Sequence, residues 1–460
     1  MGILLLVTPL TSPCIANPFF PPMNETLKST IDAKLKARDQ KGQLRRLTIF
    51  ENENLADFSS NDYLSLSSDG EFYRQYLAQL KHQASHGQAR EMAMGSGGSR
   101  LLDGNSARAE RLERETLPQF HRAPDGLLFG SGFDANVGVY SSLAQPGDVI
   151  VYDELVHASV HDGMRLARAV RCVPFAHNDA AALQATLAAI KAKHKAANQG
   201  QEFRGQVFVG VESVYSMDGD VAPLRALLHA LRAEFPRTGH LIVDEAHATG
   251  VVGPGGRGLV CALGLETDVL VRVHTFGKGV GAAGAVVLCD SLLREYFINY
   301  CRPFVYSTAM PGYALAAIEA AYALLASPVV AAPRLARLWA RVHQFHAGLS
   351  TLSVPPADHS SGARSIYYAA AGSGAPLASA IFAVQTPQAR ALATHCRRAA
   401  RCLVRAIVYP TVPRGGERVR VCLHAGNTRA EVDALLQALR AWTEGAEDDE
   451  LAQDEPKPRL

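Results

Sequence analysis

No Cys-x-x-Cys pair occurs among the eight cysteines of this 460-residue chain, Cys14, Cys172, Cys261, Cys289, Cys301, Cys396, Cys402 and Cys422. That spacing argues against a disulfide or zinc framework and for reduced thiols in an intracellular protein, so no metal is expected. No stretch reaches ~18 consecutive apolar residues, and a transmembrane helix finds no support. An excess of one charge is missing too, since 46 Lys and Arg balance 44 Asp and Glu for a net charge of +2. Neither nucleic acid nor an acidic membrane surface is therefore expected as a partner, and an anionic ligand has to be met by local groups. There is no internal repeat. What is present, 48% hydrophobic and 20% charged residues, suffices for one large core and a smaller second one.

The chain ends carry little of this. Residues 1–22 hold a short apolar patch, Ile3 to Val7, and then prolines. They lack the basic leader and the ~7–15-residue apolar core of a secretory signal, so no cleavable signal is expected. Residues 445–460 are acidic and then proline-containing, the composition of a disordered tail. The last three, Pro458-Arg459-Leu460, look like a degenerate form of the Ser-Lys-Leu peroxisomal address. An arbitrary ending on a cytoplasmic protein is the alternative.

Between the ends, apolar runs rich in β-branched residues alternate with helix-like stretches. Strands are predicted at 126–129, 149–152, 170–175, 206–211, 240–243, 269–273 and 285–289, with helices at 136–142, 158–168, 180–193 and 223–234. That order predicts an α/β domain with a doubly wound, mostly parallel sheet, whose ligands sit beyond the carboxyl ends of its strands. The expected organisation is an N-terminal segment (1–58), a large domain (59–312), a smaller C-terminal α+β domain (313–444) and the tail (445–460).

The chemistry lies on the loops that follow the strands. Thr275-Phe276-Gly277-Lys278-Gly279 pins one lysine between glycines just after an apolar strand. Close backbone approach and desolvation there lower an amine's pKa toward one useful for imine formation. Asp244 ends another apolar strand, where an unpaired carboxylate is costly and calls for a cation or several donors. A lysine that carries pyridoxal phosphate as a Schiff base and an aspartate that keeps its ring nitrogen protonated are the two groups such an enzyme requires. Ser131-Gly132-Phe133 opens a helix after a strand and offers free N–H groups to a phosphate. His157 is placed to lay its imidazole on an aromatic cofactor, and His247 and Ser216 to reach that cofactor's ring oxygen. Each has a structural alternative when taken singly: a surface loop for Lys278, a turn cap for Asp244, a core position for His157, service to its own loop for His247.

In order, Ser59-Ser60-Asn61-Asp62-Tyr63-Leu64, Gly95-Ser96-Gly97-Gly98-Ser99-Arg100, Ser216-Met217-Asp218-Gly219-Asp220, Asp244-Glu245-Ala246-His247, Thr275-Phe276-Gly277-Lys278-Gly279 and Tyr306-Ser307-Thr308 resemble the α-oxoamine synthases over about residues 54–442. The resemblance implies the fold type I architecture of pyridoxal phosphate enzymes and a homodimer with active sites at its interface. It implies Lys278, Asp244, His157 and His247 as the catalytic set. Gly132, Phe133 and Thr275 would hold the cofactor phosphate, joined by Ser307 and Thr308 from the other subunit, and Ser216 would contact the ring oxygen. Asn61 would line the substrate site, and Arg420 would grip the amino-acid carboxylate as a bidentate pair. Arg418 is its understudy, because alternate residues of a strand face one side; two solvent-facing arginines are the alternative.

Within that family, Ala246-His247-Ala248-Thr249-Gly250 and Thr411-Val412-Pro413 are similar to the biotin-pathway branch, which condenses L-alanine with a pimeloyl thioester. The alternatives are glycine or serine with another acyl-CoA, or a silent subunit that keeps the fold as a partner surface. Two positions depart from the family pattern. Ala109 stands where a histidine is frequent, and Val408 stands where an arginine can precede the Pro-Thr-Val-Pro run.

Overall fold

The computed structural model describes residues 23–50, 54–85, 94–168, 171–352, 364–368 and 379–445. The chain divides into two compact units, residues 1–53 and 54–460. In the first, a helix spans Glu25–Gln40, capped by the Asn24 side chain, which accepts from the Leu27 amide at 2.8 Å.

The second unit starts with β1 (Ala56–Asp57) and then builds a seven-stranded sheet from β2 (Asp125–Phe129), β3 (Val149–Asp153), β4 (Arg171–Phe175), β5 (Val207–Glu212), β6 (Gly239–Asp244), β7 (Val269–Thr275) and β8 (Ala285–Cys289). Their order across the sheet is β2-β8-β7-β6-β5-β3-β4. The pairs β3–β4, β3–β5, β5–β6 and β6–β7 are parallel, while β8 runs antiparallel to both its neighbours. Every position of β2, β5 and β8 is buried, as expected for strands covered by helices on both faces. Alternation divides the side chains between two cores. Val149, Val151, Leu241 and Val243 enter one, and Ile150, Ile242, Val271 and Val273 enter the other.

The helix after β2 covers Gly132–Ser142, four residues longer at its start than predicted, because the Ser131 hydroxyl caps it by accepting from the Asp134 amide. The next helix, Ala158–Leu166, ends two residues earlier than predicted.

A smaller sheet follows, made of β9 (Ile381–Gln385), β11 (Arg405–Ile407) and β12 (Arg418–Cys422) in the order β11-β12-β9, all antiparallel; β10 (Cys402–Leu403) instead pairs with β1. The helix Arg429–Thr443 starts from a capping box between Thr428 and Glu431. Because β1 joins β10, and because Cys422 donates to Phe58 O and Ala425 to Tyr63 O, residues 54–58 fold with the C-terminal part rather than with the N-terminal segment. The first boundary therefore falls between residues 53 and 54 instead of at 58. No single helix among the described residues is long and apolar enough to cross a membrane. The N-terminal stretch 1–22 and Pro458-Arg459-Leu460 lie outside the described residues.

Candidate active site

Asp244 is the last residue of β6 and Glu212 the last of β5, and the parallel register sets them side by side. Both carboxyls are buried. Asp244 accepts from Asn136 Nδ2 at 2.7 Å and from the Ala246 amide at 2.9 Å, with no cationic side chain paired to it among the described residues. Burial, with the Asp244 charge beside it, pushes the Glu212 carboxyl well above the usual carboxylate range.

Asn136 uses its second amide hydrogen on the Ser159 hydroxyl at 3.0 Å. Ser159 in turn holds His157, whose Nδ1 accepts from the Ser159 amide at 3.2 Å and lies 2.7 Å from Ser159 Oγ. A fixed N–H aimed at Nδ1 puts the ring proton on Nε2. His157 sits at the cap of the helix after β3, and its ring meets the edge of Phe133 with centroids 6.3 Å apart. Burial lowers its pKa against the pull of Asp244.

Lys278 lies on the loop after β7, half-buried, and its side chain makes no hydrogen bond or ion pair with a described residue. Burial lowers its pKa, opposed by the Asp244 and Glu212 charges. Gly132 and Thr275 lie against each other. A Cβ on Gly132 would lie 3.3 Å from Thr275 Cβ, and the amides of Gly132 and Phe133 precede the first hydrogen-bonded turn of their helix. Ser216 lies on the loop after β5, and its hydroxyl is unpaired among the described residues.

His247 Nδ1 is 2.7 Å from Tyr63 Oη, and that hydroxyl donates to Asn61 Oδ1 at 3.3 Å. Burial holds the His247 ring neutral, its pKa well below the ordinary histidine value, with the nearby Lys278 and Arg420 charges adding to the effect. Arg420 Nη2 donates to Asn61 Oδ1 at 3.2 Å and to Ser59 O, and Nη1 donates to Ser216 O. Arg420 Nε is buried without a partner, and no described carboxylate pairs with this guanidinium. Arg418 differs: it is bonded to the Asp218 carboxylate and donates to Gly416 O at 2.8 Å. Arg418 is thus committed within the fold, while Arg420 presents its charge to the site.

Ser307 and Thr308 do not join this cluster. They are exposed, Thr308 bridging to Ser99, and they line a small cavity with Gly130, Arg100 and Phe304. No hydrogen bond links them to Gly132 or Thr275. Ala109, at one of the two departures from the family pattern, lines the same cavity. Val408 packs against the main core.

Sequence reasoning missed three residues. Asn136 was visible only as the start of a predicted helix, Glu212 only as the residue after a predicted strand, and Tyr63 only as a letter in a motif. The available signal for Glu212 was its place at a strand end matching that of Asp244.

Pyridoxal phosphate fits these residues. A buried carboxylate without a cation suits a protonated ring nitrogen, an unpartnered amine suits a Schiff base, and two amides at a helix start suit a phosphate. Together with the mixed α/β sheet they define a pyridoxal phosphate-dependent transferase of fold type I.

Residues 53–439 match the family described as aminotransferase class I and II. The protein is 45% identical over 423 residues to the 8-amino-7-oxononanoate synthase of Emericella nidulans, covering 92% of this chain and 97% of that one. It is 39% identical over 388 residues to an aminoacyl transferase, sphA, of Aspergillus fumigatus, covering 83% and 80%. Among solved structures, a serine palmitoyltransferase of Sphingomonas wittichii superposes with a TM-score of 0.74 at 25% identity, over 92% of this chain and 99% of that one. The 8-amino-7-oxononanoate synthase of Francisella tularensis does so with 0.62 at 25%, over 85% and 98%. The chain belongs to the aminotransferase class I and II family, and within it is a pyridoxal phosphate-dependent acyltransferase of the α-oxoamine synthase type.

Proposed function

We propose that the protein condenses L-alanine with pimeloyl-CoA, or with a pimeloyl carrier-protein thioester, to give 8-amino-7-oxononanoate, the free thiol and carbon dioxide in biotin synthesis. The observation that carries this reading is the 45% identity to an 8-amino-7-oxononanoate synthase over nearly the whole of both chains. The site supports it with a buried arginine free to take a carboxylate beside an unpaired lysine.

When bound, pyridoxal phosphate supplies the electron sink that makes the amino-acid Cα–H acidic. Asp244, oriented by Asn136 and the Ala246 amide, would hold the positive charge of the ring nitrogen. His157 Nδ1 is fixed by Ser159, so the imidazole keeps one orientation against the ring. Ser216 and His247 would contact the ring oxygen. Gly132, Phe133 and Thr275 would hold the phosphate, and Ser307 and Thr308 of a second copy would complete that end in a homodimer. Arg420 binds the alanine carboxylate in bidentate fashion and Asn61 lines the same wall. Lys278 Nζ, its pKa lowered by burial, accepts the Cα proton. Cα then bonds to the thioester carbonyl carbon, the C–S bond breaks and the departing thiolate takes a proton from solvent, the bond from Cα to the carboxylate breaks to release carbon dioxide, and the proton held by Lys278 returns to Cα.

The sphA relative and the serine palmitoyltransferase neighbours favour a second reading, the same chemistry with glycine or serine and another acyl-CoA. A silent partner subunit has no need of Lys278. We further propose that Pro458-Arg459-Leu460 directs the protein to peroxisomes, where β-oxidation supplies acyl-CoA. Product analysis by mass spectrometry tests the substrate assignment, with L-alanine, glycine and L-serine each set against pimeloyl-CoA, acetyl-CoA and palmitoyl-CoA. 8-Amino-7-oxononanoate from alanine and pimeloyl-CoA alone is expected, and product from a different pair overturns the substrate assignment.

A further inference from the structure

His177 lies just beyond β4, outside the site described above, and is gripped by two carboxylates. Its Nδ1 is 2.8 Å from Asp153 Oδ1 and its Nε2 is 2.5 Å from Asp220 Oδ2. Both ring nitrogens facing acceptors is the arrangement of an imidazolium. Burial opposes the charge, but the bonds to Asp153 and Asp220 outweigh it and raise the pKa to about 10. The neighbouring backbone is recruited as well. The His177 amide donates to Glu154 Oε1, and Asn178, at a φ of 53°, donates from its amide to Asp153 and from Nδ2 to Asp220. The Tyr215 ring meets the imidazole edge-on at 4.4 Å.

What this clamp holds is the loop 213–220, which carries Ser216. On its other side the same loop docks on the small sheet. The Asp218 carboxylate takes Arg418, Ser216 O takes Arg420 Nη1, and Gly219, at a φ of 74°, comes so near β9 that a Cβ there would lie 2.2 Å from Ile381 O. The loop is therefore a strut between the large sheet and the arginine face of β12. Asp153, which anchors it, has a fully buried side chain at the end of β3.

We propose that His177 is a positioning residue, which fixes the loop 213–220 through Asp220 so that the Ser216 carbonyl aims Arg420 at the amino-acid carboxylate. This rests on the reading of Arg420 as the carboxylate-binding group. The side chains of His177, Asp220 and Asn178 bond none of the cofactor residues, and Ser213 at the start of the loop stays tied to the Asp244 carbonyl, so loss of the clamp leaves the cofactor bound and acts on the amino acid.

The test compares wild-type holoenzyme with His177→Gln, Asp220→Asn, Arg420→Lys and the double variant H177Q/R420K. Binding of L-alanine is followed by the visible absorbance of the bound cofactor, and hydrogen exchange is measured across residues 213–220. H177Q and D220N are expected to retain the cofactor, to speed exchange in the loop, and to weaken L-alanine binding roughly tenfold, the effect of losing a charged hydrogen bond. The double variant is expected to bind L-alanine no worse than R420K alone, since both act through one group. If R420K weakens binding while H177Q and D220N leave both affinity and loop exchange as in the wild type, the clamp is overturned and the role of Arg420 stands. If R420K binds L-alanine normally, the role of Arg420 is lost and the proposal with it. D220N keeps the side-chain shape, so it decides the matter should H177Q fold poorly.

Discussion

Asn136 Nδ2 lies 2.7 Å from the Asp244 carboxylate and spends its remaining hydrogen on Ser159, which fixes the His157 ring. One amide thus orients both the carboxylate meant for a ring nitrogen and the imidazole meant for a ring face. Asn136→Ala is expected to cost about 1.5–3 kcal/mol of cofactor affinity, the range for a hydrogen bond to a charged group. Asn136→Asp is expected to cost more, since it sets a second carboxylate against Asp244. Cofactor titration by visible absorbance reads both, and equal affinity in all three proteins would remove Asn136 from the site.

Lys278→Ala is expected to abolish turnover and leave the circular dichroism of the chain unchanged, because this side chain makes no hydrogen bond or ion pair among the described residues. Borohydride treatment of the wild-type holoenzyme is expected to fix the cofactor mass on the peptide containing Lys278. Its recovery on another lysine, or normal turnover by K278A, would refute the assignment.

Gly219 has a φ of 74°, and its α-carbon faces the Ile381 carbonyl at a distance that leaves no space for a methyl group. Gly219→Ala combines left-handed strain with a clash against backbone, so a loss of about 1–3 kcal/mol or more is expected. Thermal unfolding measures it, with Gly42→Ala as control, a site that is also left-handed but has open space around it.

His121 is buried between Tyr322 and the Arg257 carbonyl, its Nε2 2.8 Å from the Tyr322 hydroxyl and its Nδ1 2.9 Å from that carbonyl. Burial lowers its pKa from 6.5 to about 3. The fold therefore favours the neutral ring, and between those two values the unfolded chain binds the extra proton. Stability from this group is complete above pH 6.5 and falls as the pH drops toward 3. Melting temperatures recorded from pH 8 to pH 4 are expected to fall, and to fall less steeply in His121→Gln.

Much of this was legible in the sequence, and the failures have physical causes. Lys278 and Asp244 stood out because glycine-flanked loops and strand-end carboxylates are local features, visible within a few residues. The strands at 149–152, 240–243 and 285–289 were legible because strands buried on both faces are written as short apolar, β-branched runs. Arg418 and Arg420 were not separable, since a period of two puts both on one face of β12, and the partner that distinguishes them, Asp218, lies 200 residues from Arg418 in the chain. Asn136 and His177 were silent for the same reason. Their partners, Asp244 and Asp153, come from other strand ends.

The sequence by itself determined the sheet, the order of its loops and which of them carry lysine, aspartate and histidine, because hydrophobic periodicity and turn chemistry act between neighbours. Only the tertiary structure decided which charges are already neutralised and which remain free for a ligand. Desolvation and hydrogen bonding depend on what packs opposite a group. In this fold that leaves Arg420, Asp244 and Lys278 without opposite-charge partners among the described residues, while Arg418 and His177 are bound into the frame around them.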